Sequence, residues 1–492
     1  MLKIVIFVVL IKVLGVSLKK VLVVATWGCP AQWGDASYVL GEDLVRRLIG
    51  SRGSSDLYRV SCTSLSILVD ALKGVGLDYR VALVILDSLV DRYRGRPTGS
   101  KCFECYENAF SGLSGFEGFG SYRDLLKFVE GLSRDVIRCL LGDSDRVSIV
   151  VAPAIGSPGG EWVFRGGARD FAAVSMMKLY GIAESYVPDL LIVDTTHGVN
   201  YMPTEIAYVS RLLLSALLPR KLLDNGGSRY LELLVVNSDP YPPSARQPEL
   251  SLNVVYRERV KAVHRLDAVP KVIAKPRPIE NRSVEKGVLE RVKELNRRYE
   301  KYAHIYLATS APLPLALCAT CSEVDVDENL LGEVYELWID SAVIEGKSVY
   351  RLVRLVPEAV YAYIVAKEFC RFVTEKEAKG SEVGLEHFGS LAKLYGLVDE
   401  AYEILVNDEV KRIEQALREK ALDVDEWVKL CEVYGECRTV PKPDKRTMIA
   451  HGGLQKEFVE VNPRKKMVRY VKSLNIDEVL EEIVSSLEEP IL

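Results

Sequence analysis

The segment from residue 19 to about residue 238 alternates between short apolar runs and amphipathic runs, and no other feature constrains the fold as strongly. The apolar runs have the length and β-branched content of buried strands, and they cover residues 21–25, 57–60, 81–86, 147–152, 190–193 and 231–236. Between them, apolar residues recur at helical spacing over residues 35–49, 65–72, 122–141, 170–180 and 204–217. Strands that alternate with helices form a parallel sheet covered on both faces. The sequence therefore predicts a Rossmann-like, doubly wound α/β domain.

A second, helical domain is predicted after this pattern ends. Four prolines lie between residues 237 and 248, and a short strand-like run at 252–256 follows them. Apolar spacing then predicts helices over residues 283–308, 349–375, 388–407, 409–421, 425–434 and 476–487. The segment 315–347 shows no clear pattern. We divide the chain into an apolar extension (1–17), an α/β domain (18–265), a helical linker (266–345) and an all-α domain (346–492).

The overall charge does not indicate a nucleic-acid partner, because the 492 residues carry a formal net charge of only −4. Any surface that binds nucleic acid must therefore be local. Residues 1–17 are strongly apolar, but Lys3 and Lys12 interrupt them and the run is short for a membrane span. We interpret them as an extension before the first domain, with a secretory signal peptide as the alternative. The expected location is the cytoplasm, with no membrane partner.

Ten cysteines in a chain of this length do not indicate a disulfide-stabilised scaffold. Two C-x-x-C pairs, Cys102/Cys105 and Cys318/Cys321, could join in a zinc site. However, they lie more than 200 residues apart and have no histidine beside them. Paired thiols or a local disulfide are the alternatives, and we predict no metal centre. The first pair falls in residues 92–120, a glycine-rich stretch that we interpret as a surface insertion.

Three unusual loops follow predicted strands, at the carboxyl edge where open parallel sheets bind ligands. The glycine-rich fingerprint of dinucleotide cofactors does not follow the first strand. The loops instead combine aromatic rings, hydroxyl groups and backbone amides that glycine makes accessible, which suit a purine-containing, phosphate-bearing ligand. Core packing is the alternative for the tryptophans. The candidate ligand-binding residues are Thr26, Trp27, Gly28, Trp33, Ile155, Gly156, Ser157, Asp194, Thr196, His197, Gly198 and Asn200.

A proline-marked loop, followed by a predicted helix start near Asp444, leads to Arg446 and His451 at R-x-x-x-x-H spacing. Histidine transfers protons near neutral pH, and arginine binds phosphate oxygens. Such a pair can cleave RNA through the ribose 2′-hydroxyl without a metal ion. The same spacing occurs at Arg259 and His264, which we interpret as structural or interdomain.

A positively charged cluster lies downstream of the Arg446–His451 pair. It is either a solvated helix face or a surface that attracts phosphate groups. Its members are Arg464, Lys465, Lys466, Arg469 and Lys472.

Residues 194–198 read Asp-Thr-Thr-His-Gly, residues 200–203 read Asn-Tyr-Met-Pro, and residues 26–28 read Thr-Trp-Gly. The first stretch matches the D-x-T-H-G signature of the CRISPR-associated CARF–HEPN proteins, and the other two resemble the same family. Arg446 and His451 match the R-x-x-x-x-H motif of its HEPN ribonuclease domain. Thr447 departs from the family pattern, because Asn, Asp or His usually follows the arginine and threonine cannot titrate.

This resemblance implies an ancillary effector of type III CRISPR antiviral defence, with a CARF sensor (18–265) and a HEPN ribonuclease (346–492). A cyclic oligoadenylate made by the interference complex, expected here to be cyclic tetra-adenylate, would bind across the two-fold axis of a homodimer or of a dimer-based higher oligomer. The HEPN dimer would then cut single-stranded RNA, with Arg446 on the phosphate, His451 in acid–base catalysis and no cofactor. The alternatives are a ligand-controlled nucleic-acid-binding regulator without catalysis, and a CARF domain that also degrades its ring through His197.

Overall fold

The computed structural model describes residues 19–48, 58–112, 118–142, 145–223, 229–242, 245–440 and 442–487. The extension predicted at residues 1–17 lies outside them. Among the described residues, no helix combines the length and apolarity needed to cross a bilayer.

The first half of the chain is organised on one large sheet. Its strands are β1 (Lys20–Trp27), β2 (Ala36–Leu40), β3 (Tyr58–Ser61), β4 (Asp78–Leu86), β5 (Val147–Ala152), the separately paired β6 (Val163–Arg165), β7 (Leu190–His197), β8 (Leu231–Ser238) and β9 (Glu249–Val260). Eight of these strands pair in the order β3-β2-β9-β8-β7-β1-β4-β5. Residues 21–24 of the central strand β1 are fully buried, as expected for a strand covered on both faces.

Helices connect these strands, which confirms the predicted α/β class. They are α1 (Glu42–Leu48), α2 (Ser64–Val75), α3 (Lys101–Gly112), α4 (Tyr122–Leu141), α5 (Arg169–Glu184) and α6 (Met202–Leu223). The first residues of α2 and α6 follow strand ends at the carboxyl edge of the sheet. The start of α2 contacts the loop after β7 through Ser64, and Tyr201, just before α6, reaches the carbonyl oxygen of Pro153 before the second loop.

The sheet is mixed rather than wholly parallel. β8 and β9 are antiparallel, and β2 runs parallel to β9 and therefore against the five strands from β8 to β5. The predicted helix over residues 35–49 was therefore wrong in its first part, where Ser37, Tyr38 and Val39 pair with both β3 and β9. Pairing with strands on both sides outweighs the local helical spacing.

The second half is helical, as predicted, and also contains short strands. Its helices are α7 (Lys286–Ser310), α8 (Pro314–Cys321), α9 (Leu330–Asp340), α10 (Pro357–Glu375), α11 (Phe388–Tyr395), α12 (Glu400–Glu419), α13 (Leu430–Tyr434), α14 (Lys445–Ala450) and α15 (Ile476–Leu487). Its strands are β10 (Ala274–Pro276), β11 (Ala342–Glu345), β12 (Ser348–Arg351), β13 (Val353–Leu355), β14 (Glu382–Gly384), β15 (Val428–Lys429), β16 (Val459–Asn462) and β17 (Met467–Tyr470).

Several predicted helix bounds in this half change for identifiable reasons. Residues 349–355, predicted as the start of a helix, instead lie along the strands β12 and β13. The helix begins at Pro357, which fits the first helical turn because its missing N–H has no partner there. Asp399 caps α12 by accepting a hydrogen bond from the Ala401 N–H, so one predicted run over residues 388–407 divides into two helices. The strands β14, β17, β16 and β15 add a small antiparallel sheet to a region predicted as all-α.

Helix α10 packs directly on the α/β half through contacts with α5 and α6, and on α7 in its own half. Its buried Glu368 accepts hydrogen bonds from Tyr180 on α5 and from Arg220 on α6. A second link joins Asp170, at the start of α5, to the guanidinium of Arg277 at 2.6 and 3.0 Å. The two halves therefore share a continuous core and buried ion pairs.

The two C-x-x-C pairs do not meet, so the structure gives no support to a shared zinc site. Eight of the ten cysteines instead form the disulfides Cys62–Cys102, Cys105–Cys139, Cys321–Cys370 and Cys431–Cys437. The expectation that the cysteines do not form a disulfide-stabilised scaffold was therefore wrong, and no disulfide joins the two cysteines of one C-x-x-C pair. Cys102 and Cys105 lie buried on α3, so residues 92–120 contain a helix tied to its neighbours rather than only a surface insertion.

Candidate functional site

The ends of β1 and β7 bring together the first and third predicted ligand loops. The Gly28 N–H donates a hydrogen bond to the carbonyl oxygen of His197 at 2.8 Å. The Thr26 hydroxyl donates to the carbonyl oxygen of Asp194 at 3.3 Å. These bonds align the Thr-Trp-Gly and Asp-Thr-Thr-His-Gly stretches side by side at the carboxyl edge of the sheet. The strand β7 itself reaches His197, four residues beyond the predicted strand end.

Asp194 is a buried support of this edge. It is 2% exposed, and its carboxylate accepts hydrogen bonds from the Ser64 hydroxyl at 2.6 Å and from the Thr196 N–H at 3.0 Å. Burial raises its pKa, although both hydrogen bonds act in the opposite direction. Because its oxygens are occupied within the protein, Asp194 positions the loop and the start of α2.

His197 is held as a neutral ring. Its Nε2 atom lies 3.4 Å from the Ser64 N–H, which can only donate, and 3.3 Å from the Tyr38 hydroxyl. The proton of the neutral imidazole is therefore on Nδ1. Burial lowers its pKa from the ordinary value to about 3, and the amino terminus of α2 also disfavours a positive charge there. His197 therefore offers a ring face and one N–H rather than a cation.

We expect His197→Gln to make the protein less sensitive to acid. Between the ordinary pKa of 6.5 and about 3, the unfolded chain binds a proton at His197 that the folded chain excludes. His197 consequently lowers stability as the pH falls through this window. The loss of unfolding free energy between pH 7 and pH 5 should be smaller in the variant by about 1–2 kcal/mol. Urea unfolding of both proteins at pH 7 and pH 5 measures this difference. An equal pH dependence of the two unfolding free energies would contradict the assignment of a lowered pKa to His197.

The two predicted tryptophans lie in different environments. Trp27 is 2% exposed and belongs to the core, where Trp33 meets it edge-on with ring centroids 5.1 Å apart. Trp33 is half-buried, and its ring stacks on His197 with centroids 4.1 Å apart. Trp33 and His197 thus form one aromatic surface beside the loop after β7, and the buried ring of Trp27 packs against Trp33.

Glycine is required where the loops cross. A Cβ on Gly198 would lie 2.4 Å from Thr26 Oγ1 and 2.6 Å from Pro203 Cγ, and a Cβ on Gly28 would lie 2.7 Å from Val199 Cγ1. Both approaches are too close for an alanine without movement of the loops. Asn200 also adopts a left-handed backbone, with φ of 52°, in the turn before α6.

Gly198→Ala is expected to lower the free energy of unfolding by about 1–3 kcal/mol, because the new methyl group displaces Thr26 or Pro203. The matched control is Gly181→Ala on α5, where an added Cβ meets no atom within 4 Å. That control should be neutral or more stable by roughly 0.5–1 kcal/mol, since it removes a helical glycine. Urea unfolding distinguishes them, and similar values for both variants would show that the crossing tolerates a side chain.

The second predicted loop lies at the same edge but not beside His197. Gly156, with φ of 77°, exchanges two backbone hydrogen bonds with Phe164 on β6. The Ser157 hydroxyl donates to the Trp162 carbonyl at 2.8 Å. β5 is two strands from β1, a separation of roughly 10 Å at ordinary strand spacing. Tyr201 spans part of this gap through a 3.4 Å hydrogen bond to the carbonyl oxygen of Pro153.

The predicted catalytic pair lies on a short, capped helix. Asp444 caps α14 by accepting hydrogen bonds from the N–H and the hydroxyl of Thr447, at 2.8 and 2.7 Å. Arg446 is exposed in the first turn, and His451 follows the last turn as the carboxyl cap. Arg446 and His451 therefore lie at opposite ends of the helix, and Thr447 serves as its capping partner.

His451 borders a large cavity. The cavity has a volume of about 740 Å³, and its lining includes Glu409, Tyr434, Thr447 and His451. His451 Nδ1 lies 3.2 Å from Oε1 of Glu409, which is buried on α12. Arg446 is not part of this lining. One chain thus provides the accessible imidazole of His451, which has a carboxylate partner. It also provides the exposed guanidinium of Arg446, which lies at the other end of α14.

Two family models match the chain, and together they cover more than half of it. Residues 22–240 match the CARF domain of CRISPR system endoribonuclease Csx1, and residues 399–473 match the HEPN domain of the same endoribonuclease. The chain belongs to the CRISPR-associated CARF–HEPN ribonucleases. A comparison with curated proteins found no match. The CARF match includes the three ligand loops, and the HEPN match includes α12, Arg446 and His451.

The basic cluster of the HEPN region is not a helix face. Arg464, Lys465, Lys466 and Arg469 lie on the hairpin formed by β16 and β17, and Lys472 lies in the turn after β17. Arg464 pairs with Asp423, and Arg469 bonds to Glu382 and Glu460, both at 2.9 Å. Because acidic partners neutralise much of its charge, the cluster does not support a phosphate-attracting surface.

The other R-x-x-x-x-H pair joins the CARF region to α10. The carbonyl oxygen of His264 accepts a hydrogen bond from Tyr361 at 2.8 Å, and the imidazole packs edge-on against Tyr208 and Tyr361. Arg259 covers the ring of Tyr230. These contacts agree with the interdomain interpretation of this pair.

Three supporting residues of the CARF and HEPN sites were not predicted, namely Tyr38, Ser64 and Glu409. The sequence does contain a signal for Ser64, because Thr63 before it is a typical helix cap and follows a predicted strand. Tyr38 fell in a run predicted as helix. Glu409 is the first residue of a predicted helix, and a carboxylate at such a position is usually exposed to solvent.

Proposed function

We propose that this chain is a metal-independent endoribonuclease for single-stranded RNA that is activated by a cyclic oligoadenylate and acts as an ancillary effector of type III CRISPR defence. The observation that carries the proposal is the combination, in one chain, of the crossed CARF loops with an accessible, carboxylate-bonded His451 in the matched HEPN region. The sensor and the nuclease are separate sites on one continuous core.

The CARF edge suits a ring of adenylates. Adenine rings can stack on the Trp33–His197 surface, while the Thr196 hydroxyl, which accepts a hydrogen bond from the Ser238 N–H and keeps its own proton, and the loop amides can bind phosphate oxygens. His197 favours holding the ring over cutting it, because its imidazole is neutral and the lone pair of Nε2 already faces the Ser64 N–H and the Tyr38 hydroxyl. Cyclic tetra-adenylate is the proposed activator, because its four-fold symmetry is compatible with the two-fold axis of a homodimer.

In the HEPN dimer, His451 and Arg446 from both protomers would form one composite site. His451 Nε2 takes the proton of the ribose 2′-hydroxyl, whose oxygen attacks the adjacent phosphorus. The P–O5′ bond breaks, a second imidazole in its charged form protonates O5′, and a 2′,3′-cyclic phosphate and a 5′-hydroxyl remain. Arg446 stabilises the negative charge of the phosphorane. Ligand binding across the dimer would favour the arrangement in which these side chains converge.

The test is a titration of the protein with cyclic oligoadenylates of different ring size, in EDTA, with cleavage of a labelled single-stranded RNA as the readout. We expect cleavage to begin at low concentrations of cyclic tetra-adenylate and to produce cyclic phosphate ends. Cleavage that requires a divalent metal would contradict the mechanism. No cleavage with any ring, together with ligand-dependent DNA binding, would instead support a regulator without catalysis.

A further inference from the structure

Glu409 is a charged residue on the buried face of α12. It is 5% exposed, and the other buried residues of this helix are Val406, Val410, Ile413 and Leu417. Burial of a carboxylate costs free energy unless partners compensate for the lost water. A carboxylate in this position therefore calls for an explanation in terms of its partners.

The two partners of Glu409 share one oxygen atom. Oε1 lies 2.7 Å from Nη1 of Arg412 and 3.2 Å from Nδ1 of His451. An ionised carboxylate only accepts hydrogen bonds, so the bond requires a proton on Nδ1. In the neutral imidazole this leaves Nε2 with its lone pair free, and Nε2 is then the atom that can take a proton from a substrate.

The backbone of His451 does not depend on Glu409. Its N–H donates to the Thr447 carbonyl at 3.1 Å, and its carbonyl accepts from the Leu454 N–H at 2.9 Å. Gly452 and Gly453, with φ of 58° and 75°, then turn the chain away. The side chain is 43% exposed, so packing holds the ring only on one side. The hydrogen bond to Glu409 is therefore the contact that fixes the ring orientation and tautomer.

We infer that Glu409 is a positioning residue that orients His451 for proton transfer, with Arg412 holding the carboxylate in place. This inference rests on the proposed ribonuclease function. Glu409 holds Nδ1–H and directs Nε2 towards the RNA. When Nε2 takes the 2′-hydroxyl proton, the nearby carboxylate stabilises the charged ring. Glu409 itself does not touch the substrate.

The test compares two variants of Glu409 with a control on the same helix. Glu409→Gln keeps the shape of the side chain and one acceptor oxygen but removes the negative charge. Glu409→Leu removes both the acceptor oxygen and the charge, and its side chain is compatible with the apolar neighbours. We expect kcat for activated RNA cleavage to fall about 10-fold in the first and on the order of 100-fold in the second, with KM unchanged. The control, Asp408→Asn, changes an exposed neighbour that pairs with Lys411 and should keep the wild-type kcat.

A second readout separates positioning from stability and from the ribonuclease function. The chain has five histidines, so ¹⁵N-histidine NMR can assign the His451 ring from the signal lost in His451→Ala. We expect the proton on Nδ1 in the wild type and on Nε2 in Glu409→Leu, measured without RNA. A wild-type kcat in both Glu409 variants, or an unchanged ring tautomer, would overturn the inference. Failure of the wild type to cleave RNA would overturn only the proposed function, since the tautomer is measured independently.

Discussion

His451→Ala should lower activated RNA cleavage by about three orders of magnitude, because it removes the group that transfers protons in both halves of the reaction. The fold should be retained, since the backbone of His451 is held by Thr447 and Leu454 and its ring is partly exposed. The measurement is the single-turnover rate of cleavage of a labelled RNA, with saturating cyclic tetra-adenylate and EDTA. Arg446→Ala should lower the same rate by about 10²–10³-fold through the loss of phosphate charge stabilisation.

The matched control for His451 is His387→Ala. His387 is partly exposed, pairs with Glu386 and does not line the cavity beside His451. It should leave the cleavage rate within about twofold of the wild type, as is usual for surface changes remote from a site. A rate for His451→Ala within tenfold of the wild type would contradict the assignment of the active site. Equal losses in His387→Ala and His451→Ala would point to damage of the fold instead.

Local sequence patterns correctly predicted the strands and helices whose formation is determined by the residues within them. Apolar runs such as residues 190–193 became buried strands, and the spacing over 122–141 and 476–487 produced helices α4 and α15 within one residue of the expected bounds. The reversed strand β2 was missed because its partners are distant, with Tyr38 pairing to Leu250 on β9. No window of sequence around Tyr38 contains that information.

The residues of the candidate sites also divide into those that local sequence predicts and those that only the fold brings together. Asp194, His197, Arg446 and His451 belong to local motifs, so the sequence was sufficient to select them. Ser64 reaches Asp194 across 130 positions and Glu409 reaches His451 across 42, so these contacts exist only after folding. The disulfides show the same limit, because the C-x-x-C spacing suggested a shared site while Cys102 pairs with Cys62 and Cys105 pairs with Cys139.

A fully buried ion pair connects the second CARF loop to strand β12. Asp87, after β4, and Arg351, on β12, are both 0% exposed and form an ion pair. Together they hold the peptide of Ala154, whose carbonyl accepts from Arg351 at 2.7 Å and whose N–H donates to Asp87 at 2.8 Å. Tyr122 completes the group by donating to Asp87 at 2.6 Å. Ala154 immediately precedes the candidate ligand residues at 155–157.

Arg351→Met is expected to lower the free energy of unfolding by about 3–5 kcal/mol, because it leaves the carboxylate of Asp87 buried without its countercharge. The double variant Asp87→Asn/Arg351→Met should lose less than the sum of the two single variants, since neither charge then remains. Urea unfolding of the four proteins, followed by tryptophan fluorescence, measures this coupling; the Trp338 ring lies 5.8 Å from the Arg351 guanidinium. A loss below about 1 kcal/mol for Arg351→Met would show that the pair is not required.

The same variant should also weaken ring binding, because Arg351 holds the loop that precedes residues 155–157. Leu391→Ala is the control, since it creates a cavity in the buried core at α11, away from the loop, with a similar expected loss of about 2–5 kcal/mol. Calorimetric titration with cyclic tetra-adenylate should give weaker binding in Arg351→Met than in Leu391→Ala. Equal affinities of the two variants for cyclic tetra-adenylate would show that the ion pair contributes to stability and not to ring binding. Weaker binding in Arg351→Met alone would show that β12, which leads through β13 into α10, helps to set the geometry of the sensor.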